Sequence, residues 1–370
     1  MKEKLLSLIS IFTVLAVFLF SSACPNLKNH YAIDSLPGCD DCPGVLDEET
    51  LDELVNKIED GDYGNIHSLI IIHNDSLALE EYFGEWSRDM LHACFSVTKS
   101  VTSALLGIAL DQDKIDGVEG KLLNYFPEYN DIKNFDERKE SITLKHLLTM
   151  TAGFTWNETN PPYLDSEGNP NLENDAIKLH ESRDWMKHIL DLPMSDNPGT
   201  KWNYNSGCTI LLSGIIAKET GQSAEEFAKE NLFSKIGITN WEWDTSLDGI
   251  TNTGWGLQLH PVDMAMFGYL FLNNGLLHGE QIVSENWVNE STRKHMSIYG
   301  YHWYVLPDGM IKDHPEAHDI FYATGYGGQH IMIVPSINMV IVTTAENFAG
   351  HGGALFDMLF DYILLAVKDK

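Results

Sequence analysis

The chain has 370 residues, 44% of them apolar, 21% charged and 11% aromatic, a composition that fits one large domain or two ordinary ones and excludes a fibrous or wholly disordered chain. Its 54 acidic residues outnumber 24 basic ones and give a formal charge of −30. Because a protein that grips a phosphate backbone needs a basic face, we expect no nucleic-acid partner.

The N-terminus has the pattern of a secretory signal. Residues 5–20 carry no charge and are too few for a typical membrane span. Small residues then lead to Cys24, in an arrangement that resembles the lipobox of bacterial lipoproteins. Ser21 stands where such motifs usually carry Leu, so cleavage without a lipid remains open. We expect residues 1–23 to be a signal peptide, Cys24 to be the lipidation site, and the protein to be exported to the bacterial cell envelope and anchored there if lipidated.

The segment after the signal is predicted to be a tether, residues 24–45. Cys39 and Cys42 lie in a turn-rich part of it, where export would favour a local disulfide. Cys94 and Cys208 have apolar surroundings and are predicted to be buried free thiols.

Strand patterns lie at the two ends of the chain, and helical patterns lie between them. Each pair of strands is a predicted hairpin, residues 69–72 with 77–83 and residues 330–334 with 339–343. A further strand is predicted at 301–305, and helices at 46–58 and 353–367.

From Ser96 onward, apolar residues recur every three or four positions, which predicts a helix. Residues 155–182 are polar and are predicted to be a long surface excursion. We therefore predict an α+β fold, with one antiparallel sheet built from residues 46–115 and 285–370, helices on its faces, and a mostly helical insert at 116–284.

Ser96 and Lys99 place a hydroxyl and an amine on one face of a first helical turn. Serine becomes nucleophilic when a base takes its proton, and lysine serves as that base if burial or nearby positive charge lowers its pKa. The helix start also directs N–H groups at developing negative charge. The alternative is a helix-capping serine with an exposed lysine. A second Ser-x-x-Lys, Ser291 to Lys294, has polar surroundings and is interpreted as accidental.

Two later segments are candidates to complete a site. Tyr204 lies on a turn before an apolar run, and a phenol near an ammonium ionises more easily and can act as a general base. Gly325 and Gly327 precede a strand, where they would let a substrate approach the backbone and an N–H group complete an oxyanion hole. The alternatives are a packing aromatic and a simple turn.

In this order, the motifs resemble the serine β-lactamase/penicillin-binding-protein superfamily, and within it the class C-like esterases, D-amino-acid peptidases and amide hydrolases. The resemblance spans about residues 46–368 and is carried by residues 95–99, 142–153, 198–206, 254–265 and 325–335. It implies that Ser96 forms an acyl-enzyme released by water, that Lys99 assists proton transfer, and that Tyr204 is the second base or acid. The backbone N–H groups of Ser96 and Tyr326 would form the oxyanion hole, and no metal or other cofactor is expected.

Two departures from the family pattern bear on the substrate. Ser206 replaces the third residue of the Tyr-x-Asn motif, and Ala323 replaces the Lys or His that begins the last motif. The resemblance implies substrate contacts at Ser206, Gly325 and Gly327, with the usual side-chain contact weakened at Ser206. Because a cation at position 323 would pair with a substrate carboxylate, we expect small ester, neutral amide or peptide substrates. We expect weak activity on β-lactams and on peptides that end in a free carboxylate.

Histidines invite a zinc interpretation at His314 and His318, but Pro315 opposes a helix across them and a loop is predicted. His146 and His260 are predicted to be structural. The main alternative to a hydrolase is a non-catalytic surface protein of the same fold that binds peptidoglycan or peptides. A membrane-tethered metalloenzyme is a weaker alternative.

Overall fold

The computed structural model describes residues 32–36, 46–165, 167–307, 314–348 and 353–367. The predicted signal peptide, Cys24, Cys39 and Cys42 lie outside these residues. No helix within these ranges is both long enough and apolar enough to cross a membrane.

The centre of the fold is a six-stranded antiparallel sheet. The strands of the described chain are β1 Ile66–His73, β2 Ser76–Tyr82, β3 His92–Ala93, β4 Glu242–Trp243, β5 Leu257–Leu259, β6 Leu276–Leu277, β7 Glu280–Gln281, β8 Tyr304–Val305, β9 Phe321–Gly325, β10 Gln329–Val334 and β11 Met339–Ala345. The strand order in the central sheet is β2-β1-β11-β10-β9-β8.

Both predicted hairpins are confirmed. In the first, Asn74 and Asp75 connect β1 to β2 with φ values of 50° and 62°, the left-handed conformation that two-residue hairpin turns need and that Asn and Asp tolerate. The second joins β10 to β11, which pair from His330 opposite Thr343 to Val334 opposite Met339.

Side chains of the central strands alternate between two apolar layers. Ile70 and Ile72 of β1 face one layer, whereas Leu69 and Ile71 face the other. The helix α8 (Pro261–Leu272) packs on the first face, where Gly268 allows the helix backbone to come close to Ile331 and Val340 of the sheet. The predicted α+β fold is confirmed.

The remaining helices extend the layer on the first face, cover the other face or form the insert. In the described chain they are α1 Glu48–Glu59, α2 Thr98–Asp111, α3 Leu144–Leu148, α4 Asp175–His180, α5 Trp185–Leu190, α6 Ser206–Thr220, α7 Ala224–Asn231, α9 Glu285–Thr292 and α10 Ala354–Met358. The helix α2 packs against α6 and α7 of the insert, and its buried side chains also belong to the apolar layer on the inner face of the sheet. It therefore connects the core of the insert with that of the sheet.

Several elements differ from the sequence-based expectation. The strand β9 was not predicted. The small sheet β3-β5-β4 was not predicted either, because two- or three-residue strands carry too little periodicity to be recognised. The last predicted helix is α10 followed by a π-helical turn, Leu359–Ile363. Five residues of the predicted tether, 32–36, are docked on the domain, with Ile33 fully buried in the core.

Candidate active site

Ser96 lies at the junction between the sheet and the insert. A short 3-10 turn, Phe95–Val97, leads directly into α2, and Phe95 has a φ of 45° that few non-glycine residues adopt. The turn is fixed from one side by β5, because Cys94 N donates to Leu257 O at 2.9 Å and Leu257 N donates to Thr98 Oγ1 at 3.3 Å. The Ser96 side chain remains partly exposed.

Lys99 lies one turn further along and reaches back to Ser96. Its Nζ is 3.0 Å from Ser96 Oγ and 2.7 Å from Gly254 O. The side chain is only 1% exposed, and burial lowers the Lys99 pKa to about 8, although the charge of Glu158 acts in the opposite direction. This geometry places a poorly solvated amine within hydrogen-bond distance of the candidate nucleophile.

Tyr204 comes to the same place from the loop before α6. Asn203 N donates to Met150 O at 2.8 Å, and the side chain of Asn205 caps α6 by accepting from Cys208 N at 3.2 Å. Lys99 Nζ consequently lies 4.9 Å from the centroid of the Tyr204 ring. Tyr204, which is distant from Ser96 and Lys99 in sequence, is thus brought beside them.

The protonation expected for Tyr204 needs a correction. The ammonium of Lys99 was expected to help the phenol ionise. Instead, burial raises the Tyr204 pKa well above 10, and Tyr299 and Glu158 add to the rise, against a hydrogen bond with Ser96 that lowers it. A phenol in this environment keeps its proton, so Tyr204 is suited to donate and relay a proton rather than to begin as a phenolate.

The end of β9 packs against the nucleophile turn. A Cβ atom on Gly325 would lie 2.4 Å from Cys94 O and 3.1 Å from Phe95 Cβ, so only glycine permits this approach. The next residue is Tyr326, whose backbone therefore lies beside the turn that carries Ser96. Gly325 has a steric role in the described structure, whereas the sequence indicated only close access for a substrate.

An aromatic rim, defined here as Phe95, Tyr163, Tyr326 and Phe348, surrounds this position. The Tyr326 ring lies 5.9 Å from Phe95, 5.2 Å from Tyr163 and 5.0 Å from Phe348. Gly327 has a φ of 85°, and a Cβ there would lie 2.6 Å from the Phe348 ring, so this glycine lets the rim close over the turn.

Glu158 is a site residue that the sequence did not reveal. The side chain is 1% exposed and comes from the polar excursion at 155–182. Its Oε2 accepts from Trp156 Nε1 at 2.6 Å and Ser206 N at 2.7 Å, and its Oε1 accepts from Ser206 Oγ at 2.7 Å and Tyr163 OH at 3.3 Å. The surrounding sequence, Glu-Thr-Asn-Pro, is typical of a loop, so Glu158 can be recognised as a site residue only from its buried position in the fold.

Both residues that depart from the family pattern, Ser206 and Ala323, are buried, but their surroundings differ from each other. Ser206 is 2% exposed and is the first residue of α6. Its Oγ forms a hydrogen bond with Glu158 Oε1. Ala323 is 1% exposed on β9, opposite Ile331 of β10. Its methyl group belongs to the inner apolar layer.

The histidines considered in the sequence analysis, among them His146, His260 and His314, have partners within the fold. His146 Nδ1 accepts from Thr143 N at 3.1 Å and completes the N-terminal cap of α3. His260 Nδ1 lies 2.9 Å from Asp263 Oδ2 at the start of α8. His314 lies in a turn and contacts Glu316, as the loop prediction requires.

The second Ser-x-x-Lys motif has a different setting. Ser291 is fully buried near the end of α9, where its Oγ donates to Val288 O at 3.1 Å. Cys94 and Cys208 are buried free thiols, as predicted.

Comparison with known proteins gives a family match over most of the chain. The family model described as Beta-lactamase matches residues 65–358. The chain belongs to the β-lactamase family. The resemblance inferred from the ordered motifs is confirmed, and with it the expectation of a β-lactamase-related hydrolase.

Individual relatives of this β-lactamase family member are distant. It is 22% identical over 292 residues to the 6-aminohexanoate-dimer hydrolase of Paenarthrobacter ureafaciens, which covers 74% of this chain and 71% of that protein. A putative 6-aminohexanoate-dimer hydrolase from Bacillus anthracis superposes with a TM-score of 0.67 at 23% identity, over 85% of this chain and 81% of that one. A family VIII carboxylesterase superposes with a TM-score of 0.65 at 16% identity, over 86% and 99%.

Proposed function

We propose that this protein is an exported serine hydrolase that cleaves an ester or an amide through an acyl-enzyme on Ser96. The observation that carries the proposal is the 3.0 Å approach of Lys99 Nζ to Ser96 Oγ, in surroundings that lower the Lys99 pKa to about 8. An amine with that pKa is neutral often enough near neutral pH to accept the serine proton.

The proposed reaction uses the groups in turn. Neutral Lys99 takes the Ser96 proton as Oγ attacks the substrate carbonyl, and the backbone N–H groups of Ser96 and Tyr326 stabilise the oxyanion. Tyr204 then gives its proton to the leaving group as the bond to that group breaks, and it takes a proton from Lys99 in return, so the phenol is unchanged after the step. Water next attacks the acyl carbon and gives a proton to Lys99. The bond from the acyl carbon to Ser96 Oγ breaks, and Lys99 returns that proton to Oγ as the acid is released.

The substrate class follows from charge and from the relatives. Ala323 offers no cation for a substrate carboxylate, and the chain as a whole is strongly acidic. Among the similar proteins, one is named for the hydrolysis of an aminohexanoate dimer and another is a carboxylesterase. The names of these relatives support an ester or amide as the bond that is cleaved, and the missing cation at Ala323 is the reason to propose substrates without a free carboxylate.

Covalent labelling with a fluorophosphonate probe tests the proposal. Wild-type protein is expected to be labelled, and Ser96→Ala is expected to abolish labelling. Ser291→Ala is a matched control, since it removes the serine of the second Ser-x-x-Lys motif, and it should leave labelling intact. Absence of labelling in the wild type at every pH would contradict the proposal and favour a non-catalytic protein that binds peptidoglycan or peptides.

Export is the part of the proposal that rests on sequence alone. The uncharged residues 5–20 and the small residues before Cys24 support it. In a bacterial host, the full chain is expected in the membrane fraction and is expected to incorporate labelled fatty acid. The Cys24→Ala variant is expected to lose the lipid, and retention of the label by that variant would exclude Cys24 as the site.

A further inference from the structure

The turn that joins β9 to β10 is held by its carbonyl groups. This turn, residues 325–328, carries Tyr326, whose backbone N–H is proposed to bind the oxyanion. Three of its carbonyl oxygens accept hydrogen bonds from the backbone or from a hydroxyl: Gly325 O from Gly328 N at 3.3 Å, Gly327 O from Asn347 N at 2.8 Å, and Gly328 O from Thr343 Oγ1 at 3.1 Å. The fourth, that of Tyr326, accepts from Gln329 Nε2 at 3.0 Å. Every carbonyl group of the turn therefore has a donor.

Gln329 connects this turn to the central strand β11. Its side chain is fully buried, and its Nε2 donates to Ala345 O at 2.6 Å while its Oε1 accepts from Ala345 N at 3.1 Å. The carbonyl oxygens of Tyr326 and Ala345 can only accept, so they fix which end of the amide is the NH2 group. The side-chain amide thus pairs with the end of β11 as a backbone peptide group would, and it ties the carbonyl of Tyr326 to that strand.

The geometry of the turn gives the Tyr326 N–H its direction. A trans peptide group points its N–H and its C=O to opposite sides, so the N–H of Tyr326 points away from Gly328, which holds the Gly325 carbonyl. Gly327 has a φ of 85°, the value that a type II turn requires at its third residue, and type I and type II turns differ by a flip of the central peptide group. That group contains the Tyr326 carbonyl. The hydrogen bond from Gln329 therefore holds the turn in one of these two arrangements.

We propose that Gln329 is a positioning residue of the oxyanion hole, which it serves by fixing the Tyr326 peptide groups in the turn. This inference rests on the proposed hydrolase function. Gln329 acts through Tyr326 and lies buried beneath the turn. An oxyanion hole contributes because its donors already point at the developing charge, and a hydrogen bond weakens steeply as its angle departs from linearity. A turn that changes between two arrangements would therefore stabilise the oxyanion less well.

A pair of esters measures the contribution of the oxyanion hole. Nitrophenyl acetate develops an oxyanion, whereas its thiono analogue, with C=S in place of C=O, develops a charge on sulfur, which is a weak hydrogen-bond acceptor. In both reactions Ser96 Oγ bonds to the acyl carbon and nitrophenolate leaves. After division by the spontaneous hydrolysis rates, we expect wild-type kcat/KM to favour the oxygen ester by about hundredfold, the scale on which loss of an oxyanion donor lowers kcat.

Gln329→Met removes the hydrogen bonds of the amide and keeps the length of the side chain. We expect it to lower the preference for the oxygen ester about tenfold, because the Tyr326 N–H loses its fixed direction. Gln281→Met is the matched control, since the Gln281 amide also donates to two backbone carbonyls, Asn274 O at 2.8 Å and Val283 O at 2.7 Å. That control should keep the wild-type preference. A loss of stability alone would slow both esters equally and leave the preference unchanged.

Gln329→Asn is a second variant in case Gln329→Met does not fold by thermal unfolding. It keeps a buried amide that is one methylene shorter and cannot hold Tyr326 and Ala345 together, so the same loss of preference is expected. An unchanged preference in either folded variant, alongside intact fluorophosphonate labelling, would overturn this inference alone. A labelled wild type with no preference between the esters would overturn the oxyanion hole and this inference with it. Absence of labelling in the wild type would overturn the hydrolase function as a whole.

Discussion

The ammonium group of Lys99 donates a hydrogen bond to the carbonyl oxygen of Gly254 across 2.7 Å. A backbone carbonyl can only accept, so this contact uses one N–H of Lys99 in either protonation state. When Lys99 loses its extra proton, the remaining hydrogen bond orients the amine and leaves its lone pair for Ser96 Oγ at 3.0 Å. Gly254 would therefore orient the proposed base and leave it able to accept a proton.

The first prediction concerns pH. Burial lowers the Lys99 pKa to about 8, and only the neutral amine can take the serine proton. We expect kcat/KM on a nitrophenyl ester to rise about tenfold per pH unit below this value and to level off above it. Lys99→Arg should abolish the activity because a guanidinium stays charged, while Lys294→Arg serves as the control. A flat profile across this range would exclude Lys99 as the base.

The second prediction concerns Tyr204→Phe. The phenol keeps its proton because burial raises its pKa well above 10, and the variant removes that proton donor without removing the ring. We expect kcat to fall by roughly two orders of magnitude, the usual scale for general acid catalysis, with the melting temperature little changed. Tyr269→Phe, whose hydroxyl contacts Asp75 far from the site, is the matched control. Turnover close to that of the wild type would remove Tyr204 from the mechanism.

The third prediction concerns Gly325→Ala. The added methyl group would meet Cys94 O at 2.4 Å, so the end of β9 must move away from the nucleophile turn and carry the Tyr326 N–H with it. A displacement of this kind is expected to lower kcat/KM about hundredfold. Gly353→Ala is the control, since a Cβ there meets nothing closer than 3.9 Å. Equal activity of the two variants would show that the approach of β9 does not matter for the reaction.

The fourth prediction concerns β-lactams. Ala323 is buried on β9 and provides no positive charge for the carboxylate of a cephalosporin. We expect hydrolysis of a chromogenic cephalosporin to be much slower than hydrolysis of a nitrophenyl ester by the same preparation. The Ser96→Ala variant measures the background for both substrates. A cephalosporin rate well above the ester rate would contradict the substrate class proposed above.

The fifth prediction concerns acid stability and a buried histidine pair. His67 Nδ1 lies 2.8 Å from His92 Nε2, and burial lowers the pKa of His67 to about 3 and that of His92 to about 4. Glu346, 3.9 Å from His67 Nε2, does not offset the burial. In the unfolded chain both histidines take up protons near pH 6.5. The contribution of the neutral pair to the free energy of unfolding is therefore fully present above about that pH, and it is lost as the pH falls toward about 4.

Thermal unfolding at several pH values checks this. The melting temperature of His92→Gln is expected to fall less steeply below about pH 6.5 than that of the wild type. His318→Gln replaces an exposed histidine and should keep the wild-type slope. Identical slopes for all three proteins would mean that the pair does not control acid unfolding.

The sequence predicts best what is local. Ser96 and Lys99 lie within one helical turn, so their spacing alone brings the hydroxyl and the amine together, and the flanking motifs identified the family. Tyr204 could be placed only through the family motif, and its pKa shift has the opposite direction from the expected one because burial is a property of the whole fold. Glu158 and Tyr163 come from a polar excursion with no periodicity, and packing alone brings them to the site.

The burial of Ile33 limits the distance between the domain and any membrane to which the chain is attached. Ile33 is fully enclosed, and the adjacent Asp34 pairs with Arg88 at 2.6 Å, so the folded unit extends at least as far toward the N-terminus as Ala32. Only seven residues lie between Ala32 and Cys24. A chain of that length spans roughly 30 Å at full extension, so a lipid at Cys24 would hold the hydrolase within one protein diameter of the bilayer.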